Sequence, residues 1–132
     1  MRFLLDTNIC IYIIKKSPLA VFAKFQKLRV GQICISAITL SEMQYGISNS
    51  SKPQKNQTAL DSFLAPINVL DYPANASETY GNIRTDLKTK GQLIGANDLL
   101  IAAHAKSQNL ILVTNNVKEF NRVDGLHLEN WT

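Results

Sequence analysis

Cysteine is nearly absent: Cys10 and Cys34 are the only two in 132 residues. Their spacing fits no metal-ligand or redox motif, so they read as buried, reduced thiols. Histidine is as scarce, with His104 and His127 alone. No apolar run approaches the ~18 residues of a membrane span. The apolar start is interrupted by Asp6 and no small-residue cleavage site follows. No export leader is therefore expected, and the cytoplasm is the expected compartment. Repeats, low-complexity tracts and linkers are also missing, and the length suits one domain over residues 1–132. Strong charge bias is lacking too. Fourteen basic and 10 acidic residues leave a net charge of +4, which permits a polyanionic partner such as RNA without requiring one.

What is present is a large apolar fraction, 45%, enough for a core without disulfides or metal. Within it lies an anomaly. In "MRFLLDTNICIYIIKK" the carboxylate of Asp6 sits between Phe3-Leu4-Leu5 and the run from Ile9 to Ile14. Burial of a carboxylate is costly unless something compensates it.

The pattern along the chain alternates strands with helices. "RFLL", "QICIS", "INVLDY", "LILVTNN" and "LHLENW" read as strands. Helices are expected over Ile9–Lys16, over "LAVFAKFQKL" after Pro18, over "AITLSEMQYGI" to about Gly46, over about 55–65, over 75–90 closed by Gly91, over Asp98–Ser107 and over "VKEFNRV". "SNSSKPQKN" and "QLIGAN" read as loops. This order predicts an α/β fold with a mostly parallel sheet and helices on both faces. The continuous apolar runs "FLL" and "LILV" suit strands buried on both sides.

In such sheets ligands bind beyond the carboxyl ends of the strands. Asp6, Thr7 and Asn8 follow the first strand. Ser36 ends the second, with Glu42 about a turn and a half into the next helix. Thr114, Asn115 and Asn116 follow the fourth strand, and Asp98 opens the helix that leads into it. Topology alone thus gathers Asp6, Glu42 and Asp98 on one rim. Close carboxylates repel, so either one is protonated with a raised pKa or a cation lies among them. All the donors are hard oxygens, which suits Mg²⁺ or Mn²⁺ rather than zinc or copper. Such a site suits phosphodiester hydrolysis. Each acid also has a plainer reading: Asp6 as a helix cap, Glu42 in a capping box with Thr39, and Asp98 as a partner of the helix dipole.

The blocks "LLDTN", "ISAITLSEMQYG", "IGANDLLIAAHA" and "LVTNNVKEF", in that order and with "GLHLENW" at the end, resemble the PIN-domain ribonucleases. More narrowly, they resemble the VapC toxins of bacterial toxin–antitoxin pairs. The resemblance implies a PIN-like three-layer α/β/α sandwich and a metal-dependent endoribonuclease that cuts structured RNA such as tRNA or rRNA. It also implies Mg²⁺ or Mn²⁺ as cofactor, a VapB-type antitoxin as partner, a homodimer, and operator DNA bound only through the antitoxin. The family's three acids fall on Asp6, Glu42 and Asp98, and its strand-four Thr falls on Thr114. Thr7, Asn8 and Ser36 match small polar residues of such sites. Many members carry a fourth acid where this chain has Asn116, and Glu119, one helical turn on, is the available substitute.

Basic residues that could follow an RNA backbone are Arg84 and Lys88, spaced i, i+4, and Lys15, Lys16, Lys118 and Arg122. His104, six residues after Asp98 and about 240° around the helix, is not expected to act chemically. Trp131 reads as packing. Phe22, Phe25 and Tyr45 read as core or dimer interface rather than as base-stacking platforms. Two rival functions remain. An Asp-nucleophile phosphatase needs a second acid at Asn8, and a non-catalytic binding module would gain nothing from carboxylates that repel phosphate.

Overall fold

The computed structural model describes residues 2–132. Five short strands form one sheet: β1 (Phe3–Leu5), β2 (Ile33–Ser36), β3 (Asn68–Leu70), β4 (Ile111–Val113) and β5 (Leu128–Glu129). Their order is β3-β2-β1-β4-β5, and every pairing is parallel. Among the described residues seven α-helices connect them: α1 (Thr7–Lys15), α2 (Leu19–Gln26), α3 (Ala37–Ser48), α4 (Pro53–Leu64), α5 (Ala76–Thr89), α6 (Ala96–Ser107) and α7 (Val117–Phe120). The expected mostly parallel sheet is wholly parallel.

The two-residue period of the strands divides the core. Phe3, Leu5, Ile33, Ile35 and Val113 face the layer that contains α1, α2 and α4. Leu4, Cys34 and Leu112 face the opposite layer, with Ile83 and Leu87 of α5, Ile101 of α6 and Phe120 of α7. The result is a three-layer α/β/α sandwich. Both cysteines are buried and unpaired, and no helix among the described residues is long and apolar enough to cross a membrane.

Several boundaries differ from the sequence reading. The strands are shorter than expected, because β1 pairs with β2 at only two positions and with β4 at three. Gly31 and Gln32 belong to a 3₁₀ turn before β2. Helix α3 continues past Gly46 to Ser48. Helix α4 begins at Pro53, so half of the expected polar loop is helical. Proline suits a first helical turn, where its missing N–H has no intrahelical partner anyway. Helix α1 starts at Thr7 rather than Ile9, and Lys16, at φ 56°, closes it.

Candidate active site

Asp6 leaves the end of β1 and caps α1. Its backbone N–H donates to Val113 C=O at the end of β4 (2.9 Å). Oδ1 accepts from the Thr7 N–H at 2.6 Å, and Oδ2 accepts from the Thr114 hydroxyl at 2.7 Å. Thr114 Oγ1 in turn accepts from the Asn116 N–H at 2.9 Å. Asp6 is only 5% exposed. Burial raises its pKa, the bonds from Thr114 and Thr7 oppose that rise, and the charge of Glu42 adds to it. The capping role and the rim position are thus both real, and the helix N-terminus supplies part of the compensation the carboxylate needs.

Glu42 projects from α3, and its Oε1 accepts from the Thr7 hydroxyl at 2.8 Å. The plainer reading of Glu42, a capping box with Thr39, is not realised. Ser36 caps α3 instead, its Oγ accepting from the Ile38 N–H at 3.1 Å, while Thr39 is buried one turn inside. Asp98 lies in the first turn of α6, which begins two residues earlier than expected, at Ala96. Its pKa is pushed up to about 6, first by burial and then by the charges of Asp6, Glu119 and Glu42. Four carboxylates therefore share one electric field. Glu119 is held by Asn116, whose Nδ2 donates to Oε2 at 2.9 Å. Asn116, at the position where the resemblance leads one to expect an acid, thus orients the acid one turn on.

The other expected site residues divide. Thr7 and Thr114 join the acid cluster directly. Asn8 is exposed on the first turn of α1 and takes no part in these bonds. Ser36 is fully buried, and its hydroxyl serves α3 and the ring of His104 rather than the acids. Lys15 lines a cavity of about 300 Å³ between α1, α3 and α4, beside Thr7, Glu42, Met43 and Leu60. Lys118 is exposed on α7. Gln108 at the end of α6 bonds Asn75 at the start of α5 (3.0 Å), so the two helices run antiparallel. Lys88 therefore lies toward the end of the pair that carries Asp98, whereas Arg84 is engaged with the Tyr80 hydroxyl at 2.7 Å. Lys16 sits over the Phe22 ring, and Arg122 reaches the carbonyls of Gln92 and Leu93. Trp131 packs edge-on against Phe3, as a packing residue should. Tyr45 is 70% exposed, which excludes a core role. Asn115, which the sequence reading places beside Thr114 and Asn116 without a role, donates to the Tyr12 hydroxyl at 2.9 Å and ties the β4–α7 loop to α1.

Among the described residues, no group of three or more His, Cys, Asp or Glu side chains stands close enough to grip one ion directly. A dry three-carboxylate cage is therefore not what the fold builds. The donors fit a hydrated Mg²⁺ or Mn²⁺, which takes one or two carboxylates directly and reaches the others through water. The lifted pKa of Asp98 fits as well, because mutual repulsion of this kind is what a cation relieves.

The PIN domain family model matches residues 3–126. The chain is 48% identical over 132 residues to Ribonuclease VapC2 of Rickettsia felis, covering 99% of this chain and 98% of that protein. It is 46% identical to the tRNA(fMet)-specific endonuclease VapC of Shigella flexneri, covering 100% and 99%. Its fold matches the crystal structure of VapBC2 from Rickettsia felis bound to a DNA fragment from their promoter. That match has a TM-score of 0.93 and 47% identity, and covers all of both chains. With the acids at the strand ends and relatives matched end to end, the chain belongs to the PIN-domain family and, within it, to the VapC ribonucleases.

Proposed function

We propose that this chain, as a single PIN domain, is the toxin of a toxin–antitoxin pair, and that it hydrolyses phosphodiester bonds in structured RNA with Asp6, Glu42, Asp98 and Glu119 around a hydrated Mg²⁺ or Mn²⁺. The observation that carries this reading is the convergence of three carboxylates, Asp6, Glu119 and Glu42, on a fourth, Asp98, whose pKa is raised first by burial and then by their charges. PIN-domain nucleases depend in general on divalent metal. A bound cation of this kind acidifies a water and offsets charge that develops on the scissile phosphate.

The protein's own groups supply orientation and proton transfer. Thr114 and the Thr7 N–H fix both oxygens of Asp6. The Thr7 hydroxyl fixes Glu42, and Asn116 fixes Glu119. One of these carboxylates is suited to take a proton from the attacking water. Attack by water leaves a 5′-phosphate and a 3′-hydroxyl. A covalent role for Asp6 is disfavoured, since Asn8 supplies no second acid to handle a leaving group.

The named specificity of the Shigella relative makes tRNA(fMet) the first substrate to test. The DNA-bound VapBC structures support a VapB-type antitoxin as partner; contact with operator DNA through that antitoxin and a homodimeric toxin belong to the same proposal. Cleavage of total RNA and of tRNA(fMet) with Mg²⁺ and with EDTA tests the core reading. Chelation is expected to lower the rate by at least about a hundredfold. Persistent cutting in chelator, or 2′,3′-cyclic phosphate ends, would overturn it.

Glu119 allows a separate check. Glu119→Gln is expected to lower the initial cleavage rate about tenfold, because the charge that substitutes for the missing fourth acid is lost. An unchanged rate at limiting Mg²⁺ would remove Glu119 from the site.

A further inference from the structure

Helix α3 carries Glu42 and helix α6 carries Asp98. At their contact lies a polar pair outside the acid cluster: His104 Nδ1 is 2.8 Å from Ser36 Oγ. Both residues are effectively sealed from water, at 1% and 0% exposure. Ser36 ends β2 and caps α3, so it stands at the root of the helix that bears Glu42. His104 lies six residues beyond Asp98 on α6. Its buried neighbours on that helix, Ile101, Ala102, Ala103 and Ala105, are all apolar.

Burial lowers the pKa of His104 and leaves the ring neutral at pH 7. A neutral ring offers one bare nitrogen. The Ser36 hydroxyl can donate to Nδ1 while accepting from the Ile38 N–H, which satisfies the hydroxyl and the bare ring nitrogen at once. Tyr72 meets the imidazole edge-on at 5.6 Å and limits its tilt. A buried imidazole is costly without its hydrogen bond, and an aliphatic residue would fill the space without that cost. Apolar contacts alone tolerate small sliding between helices, whereas a buried hydrogen bond sets one register.

We propose that His104 is a positioning residue for RNA cleavage: through Ser36 it locks α3 to α6 and so sets the separation of Glu42 from Asp98. This rests on the assignment of those acids to the cation site. Replacement of His104 should loosen cation binding before it touches RNA recognition.

The test is Mn²⁺ binding by calorimetry on the full chain, with thermal melts and RNA cleavage alongside. His104→Leu is expected to raise the Mn²⁺ dissociation constant about tenfold, the range seen when groups supporting metal ligands are lost, with RNA KM nearly unchanged. His104→Asn places an amide near the position of Nδ1 and is expected to recover most of the affinity. Ser36→Gly removes the link but keeps a serviceable helix start, so it should reproduce the Leu effect even if the Leu variant fails to fold. The double variant should bind Mn²⁺ no more weakly than either single one. Thr39→Val is the control for disturbance of the same core, because the Thr39 hydroxyl is buried without a partner; it should leave Mn²⁺ affinity intact. A folded Leu or Gly variant with wild-type Mn²⁺ affinity overturns the proposal, as does equal impairment by Thr39→Val or no recovery in His104→Asn. Asp98→Asn run in parallel separates the two levels. If it binds Mn²⁺ normally, the acid assignment itself falls; if it loses binding while the His104 and Ser36 variants do not, only the positioning role falls.

Discussion

Asp98→Asn is expected to lower RNA cleavage by about a thousandfold or more and, in the absence of divalent cation, to make the protein more stable at pH 7.5. The two effects have one cause. Removing a charge that only a cation or a proton satisfies disables the chemistry and relieves the apo fold. The pKa of Asp98 rises from an ordinary 3.8 to about 6 on folding. A carboxyl raised in this way keeps its full stability below the ordinary value and loses it as pH climbs through the folded one. At about 1.36 kcal/mol per unit the loss is about 3 kcal/mol, and partial solvent exposure reduces it to about 1 kcal/mol. The Asn variant should therefore melt about 2–6 °C higher at pH 7.5. The gain should fade between pH 6 and pH 4. Adding Mn²⁺ should stabilise the wild type and not the variant. Melts in EDTA and in Mn²⁺ at several pH values check all of this. A variant less stable than wild type at pH 7.5 in EDTA would falsify the electrostatic account.

Cleavage is also expected to collapse on acidification, along a limb that moves with cation concentration. Protons and divalent cations compete for the same carboxylates. With scarce Mn²⁺ the rate should fall about tenfold per pH unit below about 6, and more steeply once Asp6, whose pKa is raised as well, joins in. Abundant Mn²⁺ favours the ionised form and should carry the limb to lower pH by about one unit for each tenfold rise in Mn²⁺ when a single proton competes. Glu119→Gln removes one of the charges that lift Asp98, so its limb should also sit lower. His104 does not confuse the profile near neutrality, because burial lowers its pKa. Rate profiles from pH 4 to 8 at low and high Mn²⁺ decide the matter: a limb that stays put at both concentrations would exclude cation binding by ionised acids.

The sequence made the strands legible because "FLL", "ICI" and "ILV" are apolar at every position, as a sheet covered on both faces demands. It made the acids legible because parallel connectivity sends each strand end to one rim. It concealed the start of α4, where Pro53 and three polar residues look like a loop. The apolar anchors of that helix, Leu60 and Phe63, come only in its second half. It also concealed what the small polar residues do. Thr7 meets Glu42 across 35 positions and Ser36 meets His104 across 68, and no local pattern encodes a side-chain rotamer facing a distant helix. Ser36 looked like part of the acid rim because it ends a strand, yet its hydroxyl turns to capping and to the imidazole. The Asn116–Glu119 pair was within reach, since i, i+3 spacing at a helix start is a local signal.

The bond between Asp6 and Thr114 joins residues 108 positions apart, and β1 needs β4 as its neighbour. A growing polypeptide has synthesised Asp6 and Glu42 long before the wall that completes the cleft exists. While translation is under way, the nascent chain carries no assembled cutting centre. The acid cluster is therefore among the last parts of the fold to come together, once the final fifth of the polypeptide is available to pair with its beginning.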